Sequence, residues 1–317
     1  MLRRVRQKVV HLLLVLFVVS LLLTFLIDLT PGDPAYSILG EQATPEQIDQ
    51  LTQELNLDGS FASRYGTWVG DILSGELGTS YVSKQSVWSS IANALPVTVE
   101  LVLVAIGLSL LIAVPLGVFT AHRPGGIVDR AWTVISSALL SVPVFVQALI
   151  LVFLFSLKND WLPPTGWTYL TENPIENLRH LALPALSLAL IEVPAYSRLL
   201  RSDMIATLQE DFILNAKAKG QPPRRILFVH ALRPASVSTI TLAGLSVARL
   251  MGGALVIESL FALPGIGLLL LNSVNTRDIP SVQGIVMFIA LVYVVANMLV
   301  DVGHRVIDPR MRDASLA

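Results

Sequence analysis

The chain has 317 residues, 53% of them hydrophobic and 14% charged, with a net charge of −1 and no cysteine. The charge fraction lies well below the roughly 25% of soluble domains, and the charges crowd between long apolar runs, so composition excludes an ordinary soluble globule. Near-neutrality argues against a nucleic-acid partner, and the missing cysteine excludes disulfides and thiolate metal sites without fixing a compartment.

A helix needs about 20 mainly apolar residues to cross the hydrocarbon core. Six windows meet that length: 9–29, 97–121, 131–155, 181–199, 237–261 and 282–302. The expected fold is all-α and polytopic. It divides into a first span (1–29), a segment on the far side (30–95) and a five-helix core (96–317) with a loop at 200–235.

The first span follows Arg3, Arg4, Arg6 and Lys8. Its apolar run is long for a secretion signal and no small-residue cleavage site follows, so it reads as an uncleaved helix. In the next segment Thr44-Pro45-Glu46-Gln47 has the spacing of a capping box with proline in the first turn. Ile48, Leu51 and Leu55 then share one helical face. Asp33, Glu41, Glu46, Asp49, Glu54, Asp58, Asp71 and Glu76 make the segment acidic, as a solvated lid or a docking surface would be.

After the second span, Pro124-Gly125-Gly126 marks a tight basic turn. Between the third and fourth spans, Trp161 and Trp167 suit an interfacial belt. The fourth span carries Pro184, Glu192 and Pro194. Prolines are tolerated there when neighbours satisfy the freed backbone groups.

The loop at 198–235 is far longer than a connector requires. Helix formers run through Asn215-Ala216-Lys217-Ala218-Lys219, Gly220 offers a C-cap, and Pro222-Pro223 prevents continuation. A second short segment follows at 224–232. Small Ala216 and Ala218 would let a partner's surface approach closely. A basic helix lying on anionic lipid is the competing reading.

Lysine and arginine placement sets orientation. With the N-terminus inside, 16 of the 22 Lys and Arg fall on the inner side, five on the outer side, and Arg249 within a span. Both termini are expected to face the cytoplasm.

At the long loop the sequence resembles the membrane-spanning permeases of ABC importers, in the dipeptide, oligopeptide and nickel branch and its B-type permease. The resemblance rests on Asp211-Phe212-Ile213-Leu214-Asn215-Ala216-Lys217-Ala218-Lys219-Gly220, then Arg224 and His230-Ala231-Leu232-Arg233. It extends over nearly the whole chain. Further matches are Pro31-Gly32-Asp33-Pro34, Gly78-Thr79-Ser80-Tyr81, Leu95-Pro96-Val97-Thr98-Val99-Glu100-Leu101, Glu258-Ser259-Leu260-Phe261, Pro264-Gly265-Ile266-Gly267, Arg277-Asp278-Ile279-Pro280 and Asp308-Pro309-Arg310. Leu214-Asn215 stand where the wider importer signature has glutamate and alanine, as in the peptide branch.

The resemblance implies a type I importer permease in a bacterial or archaeal inner membrane. It implies a second homologous permease, two ATPase subunits or domains, and an extracytoplasmic substrate-binding protein, with membrane lipid around them. Asp211, Phe212, Asn215, Ala216, Lys217, Ala218, Lys219, Gly220 and Arg224 would couple the chain to the ATPases. ATP and magnesium would act on those partners. The chain would perform no covalent step and hold no metal or cofactor of its own, and it carries no Gly-x-x-x-x-Gly-Lys-Ser/Thr loop. Peptide is the expected cargo.

Ionisable groups inside spans are costly and face protein or water. Glu192 and Arg249 lie deep, and either pair with each other or line the path. Glu100, Glu258 and Asp301 lie near span ends, where snorkelling favours a structural role, with Glu258 kept as a path candidate. Gly244, Gly252 and Gly253 read as close-packing contacts. The main alternative is a secondary transporter or channel without ATPases. Inverted repeats would favour it, and none is evident. An intramembrane enzyme would need a motif such as His-Glu-x-x-His, and the five histidines are scattered.

Overall fold

The computed structural model describes residues 2–29, 44–54 and 59–307. Among them every regular element is helical, apart from one isolated antiparallel bridge between Thr79 and Ser86. In chain order these are α1 (Leu2–Leu29), α2 (Pro45–Glu54), α3 (Phe61–Leu73), α4 (Val87–His122), α5 (Ile127–Ser141) and α6 (Val144–Val152). Then come α7 (Pro174–Thr207), α8 (Asp211–Ala218), α9 (Pro223–Gly253), α10 (Leu255–Phe261), α11 (Ile266–Asn275) and α12 (Ile279–Ile307). Four stretches are long and apolar enough to cross a membrane: α4, α7, α9 and residues 279–300 of α12. Two broken pairs, α5 with α6 and α10 with α11, raise the number to six if each counts as one span.

Each of the six expected windows falls on helix, but two are interrupted. Residues 131–155 form no single straight helix. α5 and the continuation of α6 to Leu157 meet at 103°. Pro143 disfavours helical backbone at Val142, which takes φ −94° and ψ 126°. A 15-residue helix is about 22 Å long and does not cross the core alone. The carbonyls freed by the break are met locally. Gln147 Nε2 donates to Leu139 O at 2.8 Å and to Val142 O at 2.9 Å. The window 237–261 is likewise shared between α9 and α10, with irregular Ala254 between them.

The segment 224–232 is not separate from the spans. It is the first turns of α9, wound as a π-helix over Ile226–Ala231. Pro234 in the next turn has no N–H for the carbonyl of His230 and its ring crowds that carbonyl, which explains the widened turn. α11 falls outside every expected window and is an additional helix. By contrast, the capping box before α2 is formed. Gln47 N donates to Thr44 Oγ1 at 3.3 Å and Thr44 N to Gln47 Oε1 at 3.0 Å. Ile48 is half-buried, whereas the side chains of Leu51 and Leu55 lie outside the described residues, as do Pro31–Pro34 and residues 308–310.

The chain forms two compact units. Pro264–Val295 groups with Met1–Thr98, and Val99–Leu263 groups with Ala296–Ala317. The first unit buries Val87, Ile91, Ala94, Ile266 and Ile285 together. Several of its sequence motifs meet there. Asp278 accepts from Ser80 Oγ at 2.5 Å, Tyr81 N at 2.9 Å and Ser281 Oγ at 2.6 Å. Thr98 Oγ1 accepts from Ile266 N at 2.8 Å. These motifs therefore hold the unit together, whatever else they do. Burial raises the phenol of Tyr81 above its ordinary range, with Asp278 adding and Arg64 opposing.

Candidate functional site

The second unit contains every residue singled out for coupling or for the path. Its helices α5 and α7 are joined by polar side chains. Arg201 grips Asp129 through Nε to Oδ1 at 2.6 Å and Nη2 to Oδ2 at 2.7 Å. Gly125 N donates to the same Oδ2 at 2.8 Å, which closes the turn before α5. In that turn Gly126 N donates to Arg123 O at 3.0 Å, with Pro124 and a positive-φ Gly125 between them, the residue order of a type II turn. Arg198 donates to Ser136 and Ser137, and Trp132 Nε1 to Ser197 Oγ at 2.9 Å.

α8 lies between α7 and α9. Asp211 in its first turn and Lys217 in its last suit the helix dipole. Its C-terminus is a Schellman motif. Gly220 N donates to Lys217 O at 3.0 Å and Gln221 N to Ala216 O at 3.2 Å. Gly220 has φ +72°, the left-handed conformation that motif requires. Pro222 and Pro223 follow, and Pro223 starts α9, where its missing N–H costs nothing.

One side chain anchors this helix. Ile213 is wholly buried among Val118, Leu200, Met204, Ile226 and Ala231. Ala216, one turn on, packs against the same cluster. The two small residues therefore separate, with Ala216 turned inward and Ala218 exposed. Asp211, Asn215 and Ala218 share the outward face at positions i, i+4 and i+7. Phe212 and Leu214 flank it at 46% and 52% exposure. Lys217 instead lines a cavity of about 510 Å³ with His122, Gln209 and Gln221. Lys219 and Arg224 are exposed. Ile213 is not among the coupling residues that the sequence points to. Three consecutive apolar residues, 212–214, suit any face of so short a helix.

Deeper in the unit the structure brings Glu192 of α7 to Arg249 of α9. Arg249 Nη2 lies 2.7 Å from both carboxylate oxygens, and Ser246 Oγ donates to Oε2 at 2.8 Å. Glu192 is 1% exposed and the Arg249 side chain 57%. Glu258 does not snorkel from a span end but is wholly buried in α10. Its backbone carbonyl accepts from Leu263 N at 2.9 Å across the turn at Ala262. Gly244 is a close contact, since a Cβ there would meet Val300 at 2.8 Å. Gly253 is not one, with nothing near an added Cβ.

Residues 113–313 match the family model of binding-protein-dependent transport system inner membrane components, and residues 1–102 match the N-terminal model of such components. A Brucella abortus (strain 2308) protein named as a peptide transport system permease is 37% identical over 308 residues, covering 96% of this chain and 98% of its own. A peptide ABC transporter permease of Sinorhizobium fredii is 35% identical over 306 residues, covering 96% and 98%. The di/tripeptide transport system permease of Pseudomonas aeruginosa (strain UCBPP-PA14) is 34% identical over 317 residues, covering 93% and 94%.

Proposed function

The chain belongs to the family of inner membrane components of binding-protein-dependent transport systems, and on that premise we propose that it is one permease subunit of an ATP-driven importer of di- or oligopeptides. It sits in a bacterial or archaeal cytoplasmic membrane with both termini inside. A second permease completes the pathway. Two ATPase subunits or domains bind and hydrolyse MgATP, and an outer binding protein delivers the cargo.

The observation that carries this reading is the construction of α8. An eight-residue helix of this kind is too short to be stable alone. Here it is fixed inward by Ile213 and closed by Gly220, while Phe212 and Leu214 remain exposed beside a small residue, Ala218. Two large apolar side chains held outward on one fixed element suit contact with a protein surface. With Lys219 and Arg224 beside it, this face receives the ATPase. α8 is also packed on the buried ends of α4, α7 and α9 through one apolar cluster. Movement of the ATPase pair thus reaches three spans as a displacement of packed helices, which biases them between outward-open and inward-open states.

Arg249 lies on the translocation path and Glu192 holds it in place. Glu258 supports the turn after α10. Peptide cargo is supported by the names of the relatives. Affinity purification of the tagged chain from its native membrane tests the assembly. We expect a second permease and ATPase subunits to co-purify, and a deletion strain to lose uptake of labelled di- and oligopeptides. Recovery of the chain alone, active in transport after reconstitution, would overturn the importer reading.

A further inference from the structure

We propose that Arg249 is a specificity-determining residue of the path, held by Glu192 and Ser246 so that it receives the C-terminal carboxylate of a peptide in transit. This rests on the importer reading above. The observation is the division of one guanidinium. Nη2 is committed to Glu192 at 2.7 Å and to Ser246 Oγ at 3.1 Å. Among the described residues no acceptor meets Nε or Nη1. An arginine carries five N–H donors and no acceptor, so three donors are left on a side chain that is 57% exposed.

A guanidinium inside an apolar helix does not face lipid without large cost. Its surroundings on α9 agree. Ser238, Leu242, Leu245, Gly252 and Gly253 share the face on which Arg249 stands. All but the half-buried Leu242 are exposed. On one side of the arginine stand the exposed Gly252 and Gly253, and an added Cβ at Gly253 meets nothing. On the other side Leu245 and Leu242 form an apolar strip. Lipid would account for the leucines but not for the unsatisfied donors. A peptide C-terminus accounts for both, because it carries a carboxylate next to a side chain that is often apolar.

Glu192 does two things to this arginine. Buried at 1% exposure, its carboxylate fixes the guanidinium, so little side-chain freedom remains to be lost on binding. It also neutralises the pair, so a peptide carboxylate meets directed charge-assisted donors rather than a strong net positive field. A pathway site must bind well enough to admit cargo and weakly enough to release it. Free donors on Nε and Nη1, backed by a neutralising partner, meet both demands.

The test uses the complete importer reconstituted in proteoliposomes. Tri-alanine is supplied as the free acid and as the C-terminal amide, each at a concentration that saturates the binding protein. Wild type should carry the free acid about tenfold faster, the worth of one charge-assisted hydrogen bond. Arg249→Gln should bring the two rates together, and Arg249→Lys should restore part of the preference. The double variant Glu192→Gln/Arg249→Gln leaves no uncompensated buried carboxylate and should also lose the preference. A preference that survives in the double variant would overturn the proposal. So would a proportional loss for both peptides accompanied by loss of the second permease, which would make Arg249 an interface residue. Absence of ATPase subunits from the wild-type complex would instead overturn the importer reading, and the inference with it.

Discussion

Asp129 and Arg201 tie the turn before α5 to α7 through two short charge-assisted hydrogen bonds, with Gly125 N as a third donor. The carboxylate is 7% exposed and the guanidinium 32%, so solvent screens the pair in part. Asp129→Asn should destabilise the purified complex by about 1–3 kcal/mol, the range for hydrogen bonds to charged groups, seen as a lowered Tm in detergent. Asp129→Asn with Arg201→Gln should recover part of that loss, because no unmatched charge remains. An unchanged Tm for the single variant would show that the contact contributes nothing to stability. This pair was not legible in sequence. Both residues sit among other inner-side arginines and acids with no local signal joining positions 72 residues apart. Glu192 and Arg249 were easier to find, since deep charges in spans are few and each needs a partner or water. Sequence left open which of the two applied.

At the scale of elements, α8 has a buried face and an exposed one, and on the proposed coupling role substitutions should separate anchoring from docking. Ile213→Ala removes the anchor and should cost about 2–4 kcal/mol of local packing, read as faster hydrogen exchange across Asp211–Ala218. Ala218→Trp, on the outward face, should leave that exchange unchanged but abolish peptide uptake and weaken ATPase co-purification. Normal uptake with this substitution would show that the outward face docks nothing. Ala216 is unsuited to the same test, because a bulky residue there would disturb the inner cluster. The boundaries of α8 were legible because glycine and tandem proline are strong stop signals. Its inward face was not, since Phe212, Ile213 and Leu214 give no periodicity over a single turn. The break at Val142 and Pro143 was hidden for a related reason. Membrane helices often pass through proline, and nothing local distinguishes a tolerated proline from a right-angled one. What decides it here is Gln147, which caps the freed carbonyls from the next helix.

For the molecule as a whole, composition and apolar run length were enough to foresee a helical, multi-span chain, because bilayer thickness fixes the length of any crossing helix. The grouping into two units was not foreseeable. It depends on contacts such as Asp278 with Ser80 and Tyr81, 198 and 197 residues apart in sequence. Several motifs that resemble the permease family meet in those contacts, so part of the family signature maintains the fold. If α8 couples the chain to its ATPases, its outward face touches an ATPase on the cytoplasmic side. The chain has no cysteine, so an Ala218→Cys variant carries a single reactive thiol. The most direct measurement is cross-linking from that thiol in native membrane vesicles, with and without MgATP. We predict a cross-link to an ATPase subunit whose yield changes with nucleotide, and labelling of the thiol by a membrane-impermeant reagent from the cytoplasmic side only. A thiol labelled from the outer side, or one that never cross-links to an ATPase, would contradict the account.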